Sequence, residues 1–254
     1  MIIASWNVNS IRVRINHVAD WIRTNKPSVL GLQETKMKNE DFPHEVFKEL
    51  GYHSYSNGQP TYNGVALITD APLDEVSYSM NNYADDQKRF ITGIYKGIKM
   101  WNLYIPNGQS VGSDKYNYKL KWLKALHDEL KQSDQSAYPN ILMGDFNIAP
   151  EDNDVHDPAL WKDKILCSKA ERDALHKITH NRLYDSFRYL NPERKHFSWW
   201  DYRAAGYRRN IGLRIDLILV DQKIIGNCIS SDIDEAPRKL ERPSDHAPVY
   251  INMS

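Results

Sequence analysis

Eight side chains in this chain could bind a cation or move a proton, and each stands at the end of an apolar run or inside one. Asn7 follows Ile2-Ile3-Ala4-Ser5-Trp6, Glu34 follows Val29-Leu30-Gly31-Leu32-Gln33, and Tyr104 closes Trp101-Asn102-Leu103. Asp145 and Asn147 end the run Ile141-Leu142-Met143-Gly144, Asp216 lies within Ile215 to Ile218, and Asp245-His246 precede Ala247-Pro248-Val249. Taken singly, an Asn or Asp after a strand is a turn former, Tyr104 a packing residue and His246 a surface one. Asp216 resists that reading, because a carboxylate inside an apolar run needs a partner. Strand ends in α/β sheets are where a rigid scaffold exposes ligand-binding groups. The donors here are mostly hard oxygens, with one imidazole and no thiolate, which favours Mg²⁺ or Mn²⁺ over Zn²⁺. Such a cation beside a histidine suits hydrolysis of a phosphate ester. The metal takes charge from the phosphate oxygens, and a carboxylate or imidazole activates water.

The elements that must hold these groups are legible in outline. Ile2 to Trp6 reads as a buried strand, and Ser10 sits where an N-cap belongs. Ile11, Ile15, Val18 and Ile22 mark one face of a helix that Pro27 stops, and Val29 to Gln33 resumes as a strand. This is a β-α-β unit. A short helix is expected from Pro43 to Leu50, ended by Gly51. Tyr52 to Ser56, Val65 to Thr69, Phe90 to Tyr95 and Ile98 to Tyr104 read as strands, Lys115 to Lys131 as a helix, and Asn140 to Met143 as a strand. Ala170 to Ile178 reads as a helix inside an excursion from Asn147 to Asp185 that has little strand signal. Late strands are expected at His196 to Trp200, Ile215 to Val220 and Ala247 to Ile251.

The 254 residues carry 33 Lys+Arg and 33 Asp+Glu, so the formal net charge is zero. That excludes binding of nucleic acid by bulk charge, but not by a local basic face. The 41% hydrophobic content is that of a globular chain. No linker or repeat divides it, so one domain over residues 1–254 is expected. Cys167 and Cys228 are the only cysteines, which is no disulfide framework. No apolar run approaches the length of a membrane span, and the N-terminal stretch has no signal-peptide pattern. The expectation is a cytoplasmic monomer without membrane contact.

At these residues the chain resembles the exonuclease III family of abasic-site endonucleases and 3′ exonucleases, within the endonuclease/exonuclease/phosphatase superfamily. The matching pieces include Trp6-Asn7-Val8-Asn9-Ser10, Leu32-Gln33-Glu34-Thr35-Lys36, Tyr62-Asn63-Gly64-Val65 and Asn102-Leu103-Tyr104-Ile105-Pro106-Asn107-Gly108. They continue with Gly144-Asp145-Phe146-Asn147, Trp199-Trp200-Asp201-Tyr202-Arg203, Gly212-Leu213-Arg214-Ile215-Asp216 and Ser244-Asp245-His246. The resemblance implies a four-layered α/β sandwich, with two mixed sheets face to face and helices outside. It implies Glu34 as the main metal ligand, helped by Asn7 and by an outer contact from Asp245. Asp145, Asn147 and His246 border the same ion. Asp145 would orient or deprotonate the attacking water, or else protonate the leaving oxygen. Asn147 and His246 would hold phosphate oxygens, Asp216 would orient His246, and Tyr104 would bond the phosphate or act on the leaving group. Trp199, Leu213 and Ile215 would form an apolar pocket for an extruded baseless sugar. Asn107 stands where many relatives carry a longer glutamine.

The implied activity is Mg²⁺- or Mn²⁺-dependent cleavage 5′ to abasic sites in double-stranded DNA, with 3′-5′ exonuclease action and trimming of 3′ ends in base excision repair. From Ser186 to Ile215 seven Lys or Arg, Arg203 among them, face only Glu193 and Asp201, with Trp199, Trp200, Tyr202 and Tyr207 interleaved. A basic, aromatic stretch suits phosphate contact and stacking, although a solvated loop beside a packed Trp pair would read the same. Two other classes stay open: an inositol-phosphate or sphingolipid phosphodiesterase, and a DNA-binding module without catalysis.

Overall fold

A computed structural model describes residues 1–133, 137–180 and 182–254. In chain order the strands are β1 (Ile2–Asn7), β2 (Val29–Gln33), β3 (His53–Asn57), β4 (Val65–Thr69), β5 (Asp74–Ser77), β6 (Phe90–Tyr95) and β7 (Ile98–Tyr104). Then come β8 (Asn140–Asp145), β9 (Leu183–Asp185), β10 (Trp199–Trp200), β11 (Gly212–Leu213), β12 (Asp216–Asp221), β13 (Cys228–Ile233) and β14 (Val249–Met253). The helices are α1 (Ile11–Asn25), α2 (His44–Glu49), α3 (Asp114–Ser133), α4 (Pro158–Trp161), α5 (Lys169–Thr179) and α6 (Ser186–Leu190). One sheet has the order β13-β14-β1-β2-β4-β3 and the other β5-β6-β7-β8-β12-β9, while β10 and β11 form a small hairpin-like pair. Each large sheet is mixed: β1–β2 and β7–β8 are parallel and their neighbours antiparallel.

Strand alternation builds the layers. Ile3, Val29, Leu67 and Ile251 of the first sheet meet Ile91, Met100, Met143 and Ile218 of the second in one core between the sheets. The intervening residues Trp6, Leu30, Leu32 and Ile68 turn outward onto Val18, Trp21 and Ile22 of α1 and Phe47 of α2. Trp101, Leu103, Leu142 and Leu217 turn the other way, onto Trp122, Leu123 and Leu126 of α3 and Leu175 of α5. Helix, sheet, sheet, helix is the expected four-layered α/β sandwich. Among the described residues no helix is long and apolar enough to cross a membrane.

The apolar runs predicted most strand bounds closely, and the differences have local causes. Ser10 is the N-cap of α1, but its φ of 90° leaves its side chain without a capping bond, and its backbone N–H donates to Glu34 O at 2.7 Å instead. The chain leaves α1 at Lys26, in the left-handed region with φ 48°, one residue before Pro27. The expected strand from His196 shrinks to Trp199–Trp200, because the His196 ring is held by Glu235 and Asp232. The last strand starts at Val249, after Pro248, which has no N–H to donate. Among its described residues the excursion from Asn147 to Asp185 holds a 3-10 turn at Asp152–Asp154, two α-helices and a three-residue strand rather than one helix, with position 181 outside the described residues. The unpredicted β13, Cys-Ile-Ser-Ser-Asp-Ile, is an edge strand that exposes Ile229 and buries Ser231, so its sequence shows no clear period.

One polar residue lies between the sheets for structural reasons. Asn102 of β7 is fully buried and donates to Leu32 O at 2.9 Å and Ala66 O at 2.7 Å in the opposite sheet. Its Oδ1 accepts from Gln33 Nε2 at 2.6 Å, and Gln33 also reaches Ser5 Oγ. A Cβ on Gly31 would stand 2.8 Å from Asn102 Oδ1, so only glycine leaves room for this crossing. Asn102→Leu should therefore lower stability by about 3 kcal/mol, since it strands buried polar partners. Urea unfolding is the check, and a loss under about 1 kcal/mol would remove the network as an inter-sheet tie.

Candidate active site

The two parallel strand pairs deliver their C-terminal ends to one edge of the sandwich. Asn7 pairs with Gln33 beside Glu34, Tyr104 pairs with Asp145, and Asp145 pairs across with Asp216. The Asp245-His246 segment reaches the same edge, where His246 bridges to Trp199 just before β14. Gly144 is what lets β8 approach β7 there, because a Cβ would lie 1.9 Å from Leu103 O. Glu34 and Asn147 both leave their strands with left-handed backbone, φ 51° and 50°. Non-glycine residues seldom adopt it, and such strain gathers at functional sites.

One amide joins the two sheets at this edge. Asn7 Nδ2 donates to Glu34 Oε1 at 3.0 Å and to Asp145 Oδ2 at 2.9 Å. Asp145 Oδ1 accepts from the Asn147 backbone N–H at 2.9 Å. His246 Nε2 lies 3.8 Å from Asp145 Oδ2, and its Nδ1 lies 2.8 Å from Asp216 Oδ2. Ser198 supports that pair. Its hydroxyl donates to Asp216 Oδ2 at 2.7 Å and accepts from the Ile215 and Asp216 N–H groups at 3.0 Å each. The carboxylate inside an apolar run thus has the partner it needs.

Electrostatics follow from this crowding. Burial pushes the Asp145 carboxyl up, His246 opposes that, and Asp216 adds to it, leaving the group near neutrality. Burial alone would lower the His246 value, but the charges of Asp216 and Asp145 outweigh it and raise the imidazole to about 10. Burial and the charges of Glu34 and Asp145 hold the Tyr104 phenol far above its ordinary range, with Arg89 4.7 Å from its ring centroid. Asp245 goes the other way. Burial would raise it, but His246 and hydrogen bonds from Trp199 Nε1 and Asn9 Nδ2, both 3.0 Å, hold it low.

Ligating atoms of Glu34, Asp145 and His246 all fall within 4.8 Å of one another, so this group could hold a metal ion. The donor chemistry fits. Oxygens dominate, and a cation would offset the charges of Asp216 and Glu34 that add to the burial already raising the Asp145 carboxyl. Asp245 lies outside that group, with both its oxygens committed to Asn9 and Trp199. Lys36 and Asn9, which received no role from the sequence, close the rim. Lys36 Nζ is 2.8 Å from Glu34 Oε2 and 2.5 Å from Asn9 Oδ1. Lys36 stands two residues after Glu34 in Leu-Gln-Glu-Thr-Lys, and only its left-handed φ of 53° folds it back onto that carboxylate.

Beside the cluster, Asn107 Nδ2 donates to Asn147 Oδ1 at 2.9 Å. A groove of about 840 Å³ runs from there past Tyr104, Arg89, Tyr62 and Lys115 to Arg203. Trp199 is half-buried with its ring 6.5 Å from His246. Leu213 and Ile215 adjoin it, but they are buried among Ala149, Val155, Leu166 and Cys167, so the expected apolar pocket is packed rather than hollow. The basic stretch needs correction. Arg214 is buried with Asp154 at 2.7 Å and Asp185 at 2.7 Å, Arg188 pairs with Asp154 at 2.6 Å, and Arg194 with Asp232 at 3.0 Å. Planar guanidinium groups serve such bidentate burial well. Lys195, Arg203, Arg208 and Arg209 remain exposed. Trp200 is a core residue, stacked edge-on against Tyr207.

Residues 4–246 match the model of the Endonuclease/Exonuclease/phosphatase family. The chain is 36% identical to exodeoxyribonuclease III of Haemophilus influenzae, over 97% of each protein. It superposes with a TM-score of 0.98 on a Neisseria 3′ phosphatase bound to product DNA hairpin, at 38% identity over 100% of this chain and 99% of that one. An AP endonuclease from Archaeoglobus fulgidus matches with a TM-score of 0.96 and 35% identity, again over 100% of this chain and 99% of that one. With the fold, the strand-end cluster and these likenesses together, the chain belongs to the endonuclease/exonuclease/phosphatase family.

Proposed function

We propose that this protein is a Mg²⁺-dependent DNA-repair phosphodiesterase that cleaves 5′ to abasic sites in duplex DNA and removes nucleotides and blocking groups from 3′ ends. It works as one domain and as a monomer. The observation that carries this reading is the convergence of Glu34, Asp145, Asp216 and His246 at one sheet edge, knit by Asn7. Its relatives are named for exonuclease, 3′ phosphatase and AP endonuclease action, and one is seen with product DNA.

Glu34, with Asn7 beside it, would hold the cation, and Asp145 and His246 border the same space. A bound Mg²⁺ would supply charge for the phosphate oxygens and favour ionised water. Asp145 receives N–H donors on both oxygens, which favours its carboxylate form, while burial raises its basicity. It therefore takes the proton of the attacking water. Asp216 keeps His246 as an imidazolium whose Nε2–H donates to a phosphate oxygen. The Tyr104 phenol stays protonated and donates likewise. Asn147 spends one N–H on Ile105 O at 3.0 Å and keeps the other for the phosphate. Arg203 and Asn107 border the groove along which the strand would lie, and Trp199 offers an apolar face to the sugar.

Glu34→Gln should cut turnover at least ~10²-fold while leaving the melting curve in place, since an amide keeps the shape but not the charge. Assays should pair an abasic-analogue duplex with a 3′-recessed duplex and an inositol phosphate. Hydrolysis of the inositol phosphate alone would overturn the DNA reading. EDTA should abolish activity and Mg²⁺ restore it. Trp199→Ala should weaken abasic-site incision by about 1–3 kcal/mol, the scale of one stacking surface. Unchanged incision with early melting would make Trp199 a packing residue only.

The pH profile tests the Asp216–His246 pair. His246 donates below its raised value of about 10, so the alkaline limb of wild-type activity should lie far to the alkaline side, while the raised Asp145 carboxyl, acting as the base, sets an acid limb near 7. Asp216→Asn removes the charge that raises it, so the alkaline limb should move to lower pH and kcat/KM should drop. The same shift contributes stability that is fully present below pH 6.5 and lost as the pH climbs through about 10. Asp216→Asn/His246→Asn should be little worse than the more damaging single change. Additive losses with an unmoved limb would dissolve the pair.

A further inference from the structure

We propose that the buried Lys119–Glu171 ion pair sets Asn147, together with the Asn107 that bonds it from a neighbouring strand end, in the position from which Asn147 holds the scissile phosphate. This rests on the reading that Asn147 binds that phosphate. Lys119 lies within α3 and Glu171 in the first turn of α5, and both side chains are fully buried at 2.5 Å from one another. Two helices that only needed to pack could do so with apolar residues, which are often the more stable choice at buried ion pairs.

The hydrogen bonds show what this pair holds. An ammonium has three donors, and Lys119 Nζ directs them to Glu171 Oε1, to Asn147 O at 2.6 Å and to Asn107 O at 3.2 Å. The two carbonyls belong to the two residues whose side chains bond each other at 2.9 Å. Backbone and side chain of both asparagines are thereby fixed from opposite sides. Asn147 turns out of β8 in the left-handed region, φ 50°, which asparagine tolerates, and the lysine fixes the carbonyl of that turn. Gly108, next to Asn107, has φ 92°, and a Cβ there would stand 3.2 Å from Lys119 Cδ and 2.9 Å from Ile165 Cδ1. The loop is thus seated directly on the lysine stem.

Glu171 extends the tie to a third loop. Its Oε1 also accepts from Leu166 N at 3.1 Å, and its Oε2 accepts from Ser168 N at 3.0 Å and Ser168 Oγ at 2.7 Å. Leu166 O in turn accepts from Ala149 N at 2.8 Å, two residues beyond Asn147. Leu166 packs with Leu213 and Ile215, the floor beside Trp199. One desolvated charge pair therefore sets three loops around the phosphate site. Lys119 and Glu171 act through the asparagines as positioning residues.

The test is steady-state cleavage of a 3′-recessed duplex with Mg²⁺ by Lys119→Met/Glu171→Gln, which removes both charges and leaves neither buried alone. The expected result is a cooperative melt, kcat lower by ~10²-fold and KM within about threefold, the signature of misplaced groups rather than lost binding. In an Asn147→Ala background the same double change should lower kcat by less than about threefold. A folded double variant with wild-type kcat would overturn the proposal, as would a loss undiminished by Asn147→Ala. If the double variant does not fold, Glu171→Gln alone keeps one carbonyl oxygen to accept from Leu166 N or from the Ser168 donors while withdrawing the charge from Lys119, and it should lower kcat about tenfold at unchanged KM; wild-type kcat there would overturn the proposal equally. Wild-type turnover in Asn147→Ala would overturn the premise about the phosphate site, whereas an inactive Asn147→Ala beside a fully active pair variant would remove the ion pair's role alone.

Discussion

Crowding of negative charge at one sheet edge is the constraint on which this structure turns. Glu34, Asp145, Asp216 and Asp245 arrive there from two different sheets, and Asp145 and Asp216 are almost wholly buried. Unpaired carboxylates in such a place would be prohibitively costly. Each is met by a donor that cannot easily move away: Asn7 between Glu34 and Asp145, Ser198 and His246 on Asp216, Asn9 and Trp199 on Asp245. The donors neutralise only part of the charge. The charges of Asp216 and Asp145 hold a proton on His246, and those of Asp216 and Glu34 add to the burial that raises Asp145, so the edge favours an additional proton or a cation. The same imbalance that weakens the fold locally makes the edge reactive.

The architecture around that edge follows from where backbone can reach it. Parallel pairing of β1 with β2 and of β7 with β8 points four strand ends the same way, which antiparallel hairpins could not do. Antiparallel β12 then brings Asp216 opposite Asp145 by register alone. Left-handed turns at Glu34 and Asn147 aim side chains across the edge rather than along it. Asn102 ties the sheets farther inside, so the two halves of the site stand on a jointed but fixed base. Behind them the Lys119–Glu171 pair holds the loops that no strand register controls.

Much of this was legible because it follows from period and neighbourhood. The strands Val29–Gln33, Val65–Thr69, Phe90–Tyr95 and Ile98–Tyr104 emerge with the bounds their apolar runs suggest. Asp216 announced a partner by standing inside an apolar run. What stayed hidden depends on contacts distant along the chain. Lys119 looks like one more helix lysine, and only α5, 52 residues on, shows that it is buried. Asn102 stands inside the run that Tyr104 closes, and nothing in its neighbours along the chain shows that it points between the sheets. The three-residue β9 and the polar edge strand β13 have too few apolar positions to show a period.

The arginines carry the same lesson into DNA binding. Counted along the chain, the stretch from Ser186 to Ile215 is strongly basic, but charge counted is not charge displayed. Arg188 and Arg214 are spent on Asp154 and Asp185, where they anchor the segment that carries Leu213 and Ile215, and Arg194 pairs at the surface with Asp232. Lys195, Arg203, Arg208 and Arg209 are left facing solvent, with Arg89 and Lys115 along the groove on the other side of Tyr104. In a chain of zero net charge, the electrostatic pull on a phosphate backbone then comes from a few residues on either flank of an acidic centre. Such a centre would repel a bare phosphate unless a cation neutralised it, so a bound metal would admit the scissile group between the exposed basic flanks. The acidic cluster and the sparse basic rim are in that sense one device.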